Sequence, residues 1–291
     1  MTVVANEAVR GKRVDGWRWA GRVFLALITL FAVIPMIWML LTSIKTQFAA
    51  LQYPPQWWPD NPTLDQYTAL LDPSSDVGRV FLGYLWNSVW ICVVTTILSV
   101  AVAVPAAYAF SRFRFPGRAW LFYAVLLRNM FPAVVFLMPL FILMRYLHLV
   151  NTGWSLVLTY LTFGLPLSIW LLKGFYDNIP VQLEQAARID GATRFKAFVL
   201  IIMPLSSPGI IATAIYSFII AWNEYVYAAT FLNDEDKLTL PVGLQHFFTE
   251  YTTNWPGLMA ASFIMSVPVV AMFLILQKYF VKALTEGAVK S

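Results

Sequence analysis

Six apolar stretches alternate with polar, proline-rich or basic connections along the chain: Val23–Leu41, Val89–Phe110, Ala119–Met144, Trp154–Leu172, Ile210–Phe231 and Leu258–Phe280. Each approaches or exceeds the roughly 20 helical residues that cross a hydrocarbon core about 30 Å thick. The pattern therefore predicts an all-α, polytopic membrane protein with six transmembrane helices. Apart from hydroxyl residues such as Thr29, polar interruptions are few: Arg128 and Asn129 in the third stretch, Asn223 and Glu224 in the fifth, and Gln277 and Lys278 near the exit of the sixth. Pro35, Pro105, Pro132, Pro139, Pro166 and Pro268 fall within spans, where membrane helices tolerate kinks. Ser99, Ala103 and Ala107, four residues apart, predict a small-residue face for helix packing. A basic segment precedes the first stretch, as in a signal peptide. Its apolar run is too long for a 7–15-residue signal core and no clear small-residue cleavage site follows, so it reads as a retained span.

Composition narrows the class further. Hydrophobic residues make up 59% of the 291 positions and charged residues 12%, against about 25% charged in soluble domains. That excludes disordered, collagen-like and disulfide-scaffold chains and argues against an ordinary soluble enzyme. A single cysteine, Cys92, allows neither an internal disulfide nor a thiolate metal cluster. The net charge of +5 is unevenly placed. With the N-terminus in the cytoplasm, fifteen Lys and Arg fall in the tails and inner connections and four outside, Lys45, Arg79, Arg145 and Lys237. Positive charge marks the cytoplasmic side, so both termini are expected there, the positive loops facing anionic lipid and no nucleic acid. No linker or repeat divides the chain. The expected organisation is a tail over 1–22, a single six-helix membrane domain over 23–281 and a tail over 282–291.

The connections carry the chemistry. The outer segment from Lys45 to Leu82 is rich in proline and aspartate, predicting turns and a short helix capped by Thr63. A second outer connection runs from Asn233 to Pro256, its stretch Gln245–Tyr251 mixing aromatic and hydrogen-bonding groups. The inner connection over 173–207 is the most strongly patterned. Pro180 can open a helix that ends at Asp190-Gly191, where glycine tolerates a left-handed turn. Thr193 can cap a second helix, with Phe195, Phe198, Val199 and Ile202 on one apolar face and Pro204 and Pro208 ending it. Such a helix–turn–helix fits a groove on another protein or lies on the membrane, and pattern alone leaves both open.

At Glu184-Gln185-Ala186-Ala187-Arg188-Ile189-Asp190-Gly191-Ala192-Thr193, with Phe198, Met203-Pro204-Leu205 and Pro208 following, the loop resembles the E-A-A-x-x-x-G loop of ABC importer permeases in its sugar-importer form. Asn87-Ser88, Ala106-Ala107-Tyr108-Ala109-Phe110-Ser111-Arg112-Phe113 with Phe115-Pro116-Gly117-Arg118, Ala221-Trp222-Asn223-Glu224-Tyr225 and Leu284-Thr285-Glu286-Gly287-Ala288-Val289-Lys290 are similar to further segments of that family. Together they cover about two thirds of the chain, and the set is similar to the MalG-like, smaller permease subunit of carbohydrate importers. One position departs: Gln185 stands where the family has glutamate, and Glu184, about 100° away around a helix, cannot make the same contact unchanged.

The resemblance implies one half of a heterodimeric pore for a sugar or sugar derivative in the inner membrane. Its partners would be a larger, MalF-like permease subunit, two ATPase subunits that bind ATP and Mg, and an extracytoplasmic solute-binding protein. Glu184, Gln185, Ala186, Ala187, Asp190, Gly191, Ala192 and Pro204 would couple to an ATPase, and Thr285, Gly287 and Lys290 would reach it from the C-terminus. Intramembrane polar groups belong against protein or water, so Asn87, Arg128, Asn129, Asn223, Glu224 and Tyr225 are candidates for the sugar path or its gate, with structural pairing as the alternative. The chain has no G-x-x-x-x-G-K-[ST] motif, no Ser–His–Asp set and no paired carboxylates in its spans. No catalytic residue, resident cofactor or metal site is therefore expected, His148 and His246 having no further ligands at metal spacing. A stand-alone secondary transporter or an intramembrane enzyme is the rival class. The former is disfavoured by the lack of a visible repeat and by Glu224 as the lone mid-span carboxylate.

Overall fold

Apolar stretches of this chain fold mainly as helix, and capping residues and prolines set where each helix stops. The computed structural model describes residues 2–248 and 253–288, with side chains over 16–248 and 253–275. The helices in order are α1 (Thr2–Ser43), α2 (Gln47–Leu51), α3 (Asp65–Leu71), α4 (Asp76–Arg112), α5 (Arg118–Leu127), α6 (Leu137–Tyr146), α7 (Gly153–Asp177), α8 (Val181–Ile189), α9 (Arg194–Ala197), α10 (Met203–Leu205), α11 (Ser207–Trp222), α12 (Val226–Phe231), α13 (Leu240–Gly243) and α14 (Trp255–Ala288). Among the described residues the sole β-type pairing is an isolated bridge between Phe248 and Thr253.

Two expected spans are not continuous. The third stretch breaks after Leu127 into a 3-10 turn at Arg128–Met130, extended backbone at Phe131-Pro132 and a second 3-10 turn at Ala133–Phe136. Its two halves bend by 100°. Proline forces its predecessor out of the helical region, which accounts for extended Phe131. The fifth stretch stops at Trp222 and restarts as α12. Among the described residues four helices are long and apolar enough to cross a membrane, or up to six if two bent pairs, Arg118–Met130 with Ala133–Tyr146 and Arg194–Leu205 with Ser207–Trp222 (bent by 73°), each count as one span.

The chain forms two compact units. In the larger, Leu70–His246 with Met265–Ser291, α4, α7 and α11 pack together. Ser99, Ala103 and Ala107 are fully buried, the small face expected from their spacing. At the crossing Ser99 Oγ lies 2.9 Å from Ser217 Oγ and 3.3 Å from Ser168 Oγ, and Ser168 lies 3.2 Å from Ser217. A side chain at Gly209 would run into the Phe175 ring, so α11 approaches α7 only because that position carries no Cβ. Cys92 is buried as well.

The smaller unit is Met1–Ala69 with Phe247–Ile264. Thr63 Oγ1 accepts from Asp65 N–H at 3.1 Å, a local turn just before α3; the first helical carbonyl is that of Leu64, not that of Thr63, the residue expected to cap the helix. The Tyr67 and Ser43 hydroxyls meet at 2.7 Å. Buried Lys45 donates to Gln56 O and lies 4.5 Å from the centre of the Trp38 ring, which also contacts Trp57. Burial pushes the Lys45 ammonium below the ordinary lysine range. Thr249–Tyr251 of the aromatic stretch, Lys290, the Thr285 side chain and the surroundings of Gly287 lie outside what is described.

Hydrogen bonds between membrane helices average about 0.6 kcal/mol, whereas overpacking a filled site costs about 1–3 kcal/mol. Ala103→Leu should therefore lower the thermal midpoint of the detergent-purified protein more than Ser217→Ala does. The reverse order in a thermal-shift assay would show that the hydroxyls, not close approach, hold the three helices.

Candidate functional site

The last turn of α4 anchors the patterned loop. Tyr108, Ser111 and Arg112 project from it toward the end of α7 and toward α8. Arg112 Nη2 donates to Tyr176 O at 2.8 Å and to Ile179 O at 2.7 Å, adding a side-chain donor to the carbonyls at and just past the end of α7. Ser111 Oγ donates to Asp177 Oδ1 at 2.6 Å, and Lys173 Nζ pairs with the other oxygen of Asp177 at 2.5 Å. Tyr108 donates to Glu184 Oε1 at 2.5 Å, and Glu184 Oε2 lies 3.5 Å from Arg112 Nε. Both charged side chains are under a tenth exposed. The Tyr108 ring packs on Phe198 at 4.4 Å, and Phe113 and Tyr176 complete the aromatic cluster.

Beyond that anchor, α8 ends at Ile189 with Asp190 as its cap. Ala192 N–H donates to Ala187 O at 2.9 Å and Gly191 N–H to Arg188 O at 3.2 Å, with Gly191 at φ +88°. This is the Schellman arrangement, in which glycine accepts the left-handed turn at no steric cost. Thr193 Oγ1 then accepts from Lys196 N–H at 3.2 Å, the expected cap. The second helix departs from expectation. Phe198–Ile202 forms a π-helical turn, which carries an extra residue per hydrogen-bonded ring and rotates the face. Ala197, Phe198 and Ile202 are buried, whereas Phe195 is 74% exposed and Val199 is exposed as well. Pro204 does not end the helix: α10 runs through it, and the chain turns at Ser206.

The loop thus has an inner and an outer face. Glu184 faces inward, so of the motif residues it is an anchor, while Gln185, Ala186, Asp190 and Gly191 are exposed, and Ala187 and Ala192 are half-buried. Ile189 is 85% exposed and, with Phe195, Leu200 and Leu205, leaves large apolar side chains uncovered. Several large apolar side chains left exposed on one loop suit a contact surface.

The second constellation joins the two broken stretches. Asn223 ends α11, its Nδ2 donating to Ile219 O at 2.9 Å. Glu224 accepts from Tyr227 N–H at 2.8 Å, Ala228 N–H at 3.1 Å and the Tyr160 hydroxyl at 2.9 Å. Its carboxylate therefore caps α12, where helix polarity favours negative charge. The Tyr227 hydroxyl donates to Ala133 O at 2.6 Å, linking this break to the other. Arg128 places its guanidinium carbon 3.5 Å from the centre of the Phe163 ring and 5.6 Å from that of Phe136, and donates from Nη1 to Asn129 Oδ1 at 3.1 Å. No ion pair joins Arg128 to Glu224 among the described residues. Tyr225 accepts from Gln245 Nε2. Asn87 donates to Asp236 O at 2.8 Å and Leu238 O at 3.0 Å, so its amide is committed to holding that turn.

A further clasp lies where Asn151, at φ +62°, accepts from Asn233 N–H and Asp234 N–H and donates to Asp234 Oδ2 at 2.6 Å. The hydrogen bonds from Lys237 and then Asn151 hold the Asp234 carboxyl below the usual carboxylate range. The clasp is therefore strongest above the ordinary carboxylate pKa and weakens as pH falls through the lowered one. Residue-by-residue chemistry assigned no role to Tyr108, Arg112, Tyr160, Phe163 or Tyr227. The i, i+4 spacing of Tyr108 and Arg112 at a span exit, and Tyr227 three residues after Glu224 at capping distance, were the available signals.

A family profile described as the binding-protein-dependent transport system inner membrane component matches residues 99–286. The trehalose/maltose transport system permease protein MalG of Thermococcus litoralis is 38% identical over 93% of this chain and 95% of its own length. The sulfoquinovosyl glycerol transport system permease protein SmoH of Agrobacterium fabrum is 35% identical, covering 91% of each chain. A chain in the crystal structure of a bacterial ABC transporter that imports the acidic polysaccharide alginate aligns with a TM-score of 0.77, over 93% of this chain and 98% of that one. At 24% identity, that likeness is one of fold. With its long apolar helices, this multi-pass membrane chain belongs to the binding-protein-dependent transport system inner membrane component family, as a MalG-like permease of carbohydrate ABC importers.

Proposed function

We propose that this permease forms half of a translocation pathway for a sugar or sugar derivative in the inner membrane. A second, MalF-like permease subunit forms the other half. A solute-binding protein delivers the sugar from outside, and two ATPase subunits holding ATP and Mg drive transport. The α8–α10 loop is the observation that carries this reading: a rigid turn clamped to α4 and α7 through Tyr108, Glu184 and Arg112, presenting Ile189, Phe195, Leu200 and Leu205 outward. In an ABC importer permease such a face suits an ATPase cleft. Gln185, Ala186, Ala187, Asp190, Gly191, Ala192 and Pro204 form the body of the coupling element. Thr285, Gly287 and Lys290 make the C-terminal contact.

Six spans with both ends cytoplasmic suit this role. At 1.5 Å per residue, α11 and α12 together reach about 33 Å, enough for one crossing. The Lys and Arg distribution then puts the coupling loop on the ATPase side. The single membrane domain over 23–281 and its two tails follow from the same topology. The path runs along the broken stretches, where Arg128, Asn129, Asn223 and Tyr225 offer polar groups. Glu224 and Asn87 support it by holding α12 and the Asp236–Leu238 turn. Relatives named for trehalose, maltose and sulfoquinovosyl glycerol support a sugar-type solute.

Ile189→Asp alters the exposed face without touching the anchor. The variant should keep the wild-type thermal midpoint, yet lose at least about tenfold in uptake, since a charge replacing a desolvated apolar contact costs more than the ~1.4 kcal/mol that a factor of ten represents. Gly191→Asp should uncouple as well, forcing a left-handed side-chain-bearing residue at about 1–2 kcal/mol. Wild-type uptake in vesicles by a fully assembled Ile189→Asp importer would sink the coupling assignment.

In a Cys92→Ala background, Asn223→Cys should react with a water-soluble thiol reagent at rates that differ between resting and ATP-bound complexes. Glu224→Ala should instead lower the thermal midpoint, because capping substitutions cost about 0.5–2 kcal/mol. State-independent labelling at 223 with full transport would place that side chain in passive packing.

A further inference from the structure

We propose that the solute moved by this permease is an anionic sugar, carrying a carboxylate or sulfonate, and that Arg128 receives the acidic group during passage. This rests on the reading that the broken third stretch borders the path. Arg128 lies ten residues into an apolar stretch, where a cation costs about 2.5–3.5 kcal/mol on insertion scales. A cation kept at such a place calls for a counter-charge, yet no ion pair among the described residues includes it. Glu224 is occupied by Tyr160, Tyr227 and Ala228.

The guanidinium geometry shows which edge remains unpaired. Phe163 covers one face at 3.5 Å, Phe136 lies at 5.6 Å, and Nη1 is used by Asn129. Nε and Nη2 are buried and lack a hydrogen-bond acceptor. Those two N–H groups form the side edge of the fork, which takes two oxygens of one carboxylate or sulfonate in parallel. Beside it, Phe131-Pro132 is extended backbone, with Met130, Phe131 and Val134 exposed. Non-helical backbone at membrane depth is tolerated only against protein or a water-filled cavity, so this face of the break is not a lipid face. A buried guanidinium edge without an acceptor, flanked by the Phe163 and Phe136 rings, fits the acidic group of a charged sugar. A neutral sugar would leave the cation unmatched.

The test uses the assembled importer in nanodiscs, with Met130→Cys in the Cys92→Ala background and a water-soluble maleimide. A uronic-acid disaccharide and a 6-sulfonated hexoside are compared with the neutral disaccharide of the same linkage. Either acid should slow labelling at concentrations roughly tenfold or more below those the neutral sugar needs, the ratio expected for hydrogen bonds to a charged group. Arg128→Gln should abolish that difference and Arg128→Lys retain part of it, with both variants recovered in complex with the second permease. Equal protection by neutral and acidic sugars would overturn the proposal while leaving the path in place. A cysteine at 130 that never labels, in any nucleotide state, would instead overturn the path reading. Failure of both acids to protect a site that labels freely, with the second permease lost from the Arg128→Gln complex, would assign the missing counter-charge to that subunit and end the proposal.

Discussion

Inside hydrocarbon a peptide N–H or C=O that leaves its helix must find another partner within the protein. Two apolar stretches of this chain break, and each break is closed by a few side chains. Glu224 takes the free N–H groups at the start of α12, and Asn223 returns its amide to α11. Tyr227, held in α12 by that cap, reaches across to Ala133 O in the other break. The cap therefore stabilises both discontinuities, and the position of Arg128 against Phe163 lies within reach of the same linkage.

The same requirement operates at the other end of α4 and α7. Arg112 supplies donors to the carbonyls of Tyr176 and Ile179, and its charge is answered by Glu184 from the next helix. A buried ion pair adds little net stability, whereas removing one member strands a charge at about 3–5 kcal/mol. Its value here is registration: α8 can attach only where the carboxylate meets both Tyr108 and Arg112. The surface beyond Gly191 is presented at a fixed angle to the membrane helices by chemistry buried beneath it.

Much of this was legible in the chain. Helix positions followed from apolar run length, the burial of Ser99, Ala103 and Ala107 from their spacing, and the turn at Gly191 from glycine after a helix end. The breaks were harder. Arg128-Asn129 and Asn223-Glu224 read as polar residues inside spans, because periodicity does not register a loss of helical hydrogen bonds when flanking residues stay apolar. Phe131 before Pro132 was the local signal of one break. The π-turn at Phe198–Ile202 is invisible to a 3.6-residue period, so Phe195 and Val199 were placed on the wrong face. Glu184 was read by its neighbours in sequence; its partners, Tyr108 and Arg112, come from a helix more than seventy residues earlier.

The serine cluster where α4, α7 and α11 cross has a mechanical consequence. Each hydroxyl can donate or accept, and Ser99, Ser168 and Ser217 lie within 2.9–3.3 Å of one another. Several assignments of the protons satisfy the same three oxygens, and passing from one to another needs only torsion about a Cβ–Oγ bond. A small rotation of one helix against the others can thus exchange one donor–acceptor arrangement for another without stranding a polar atom. The crossing works as a bearing: the absence of bulk at Ala103 and Ala107 fixes how close the axes run, and the interchangeable hydroxyls leave the angle between them soft.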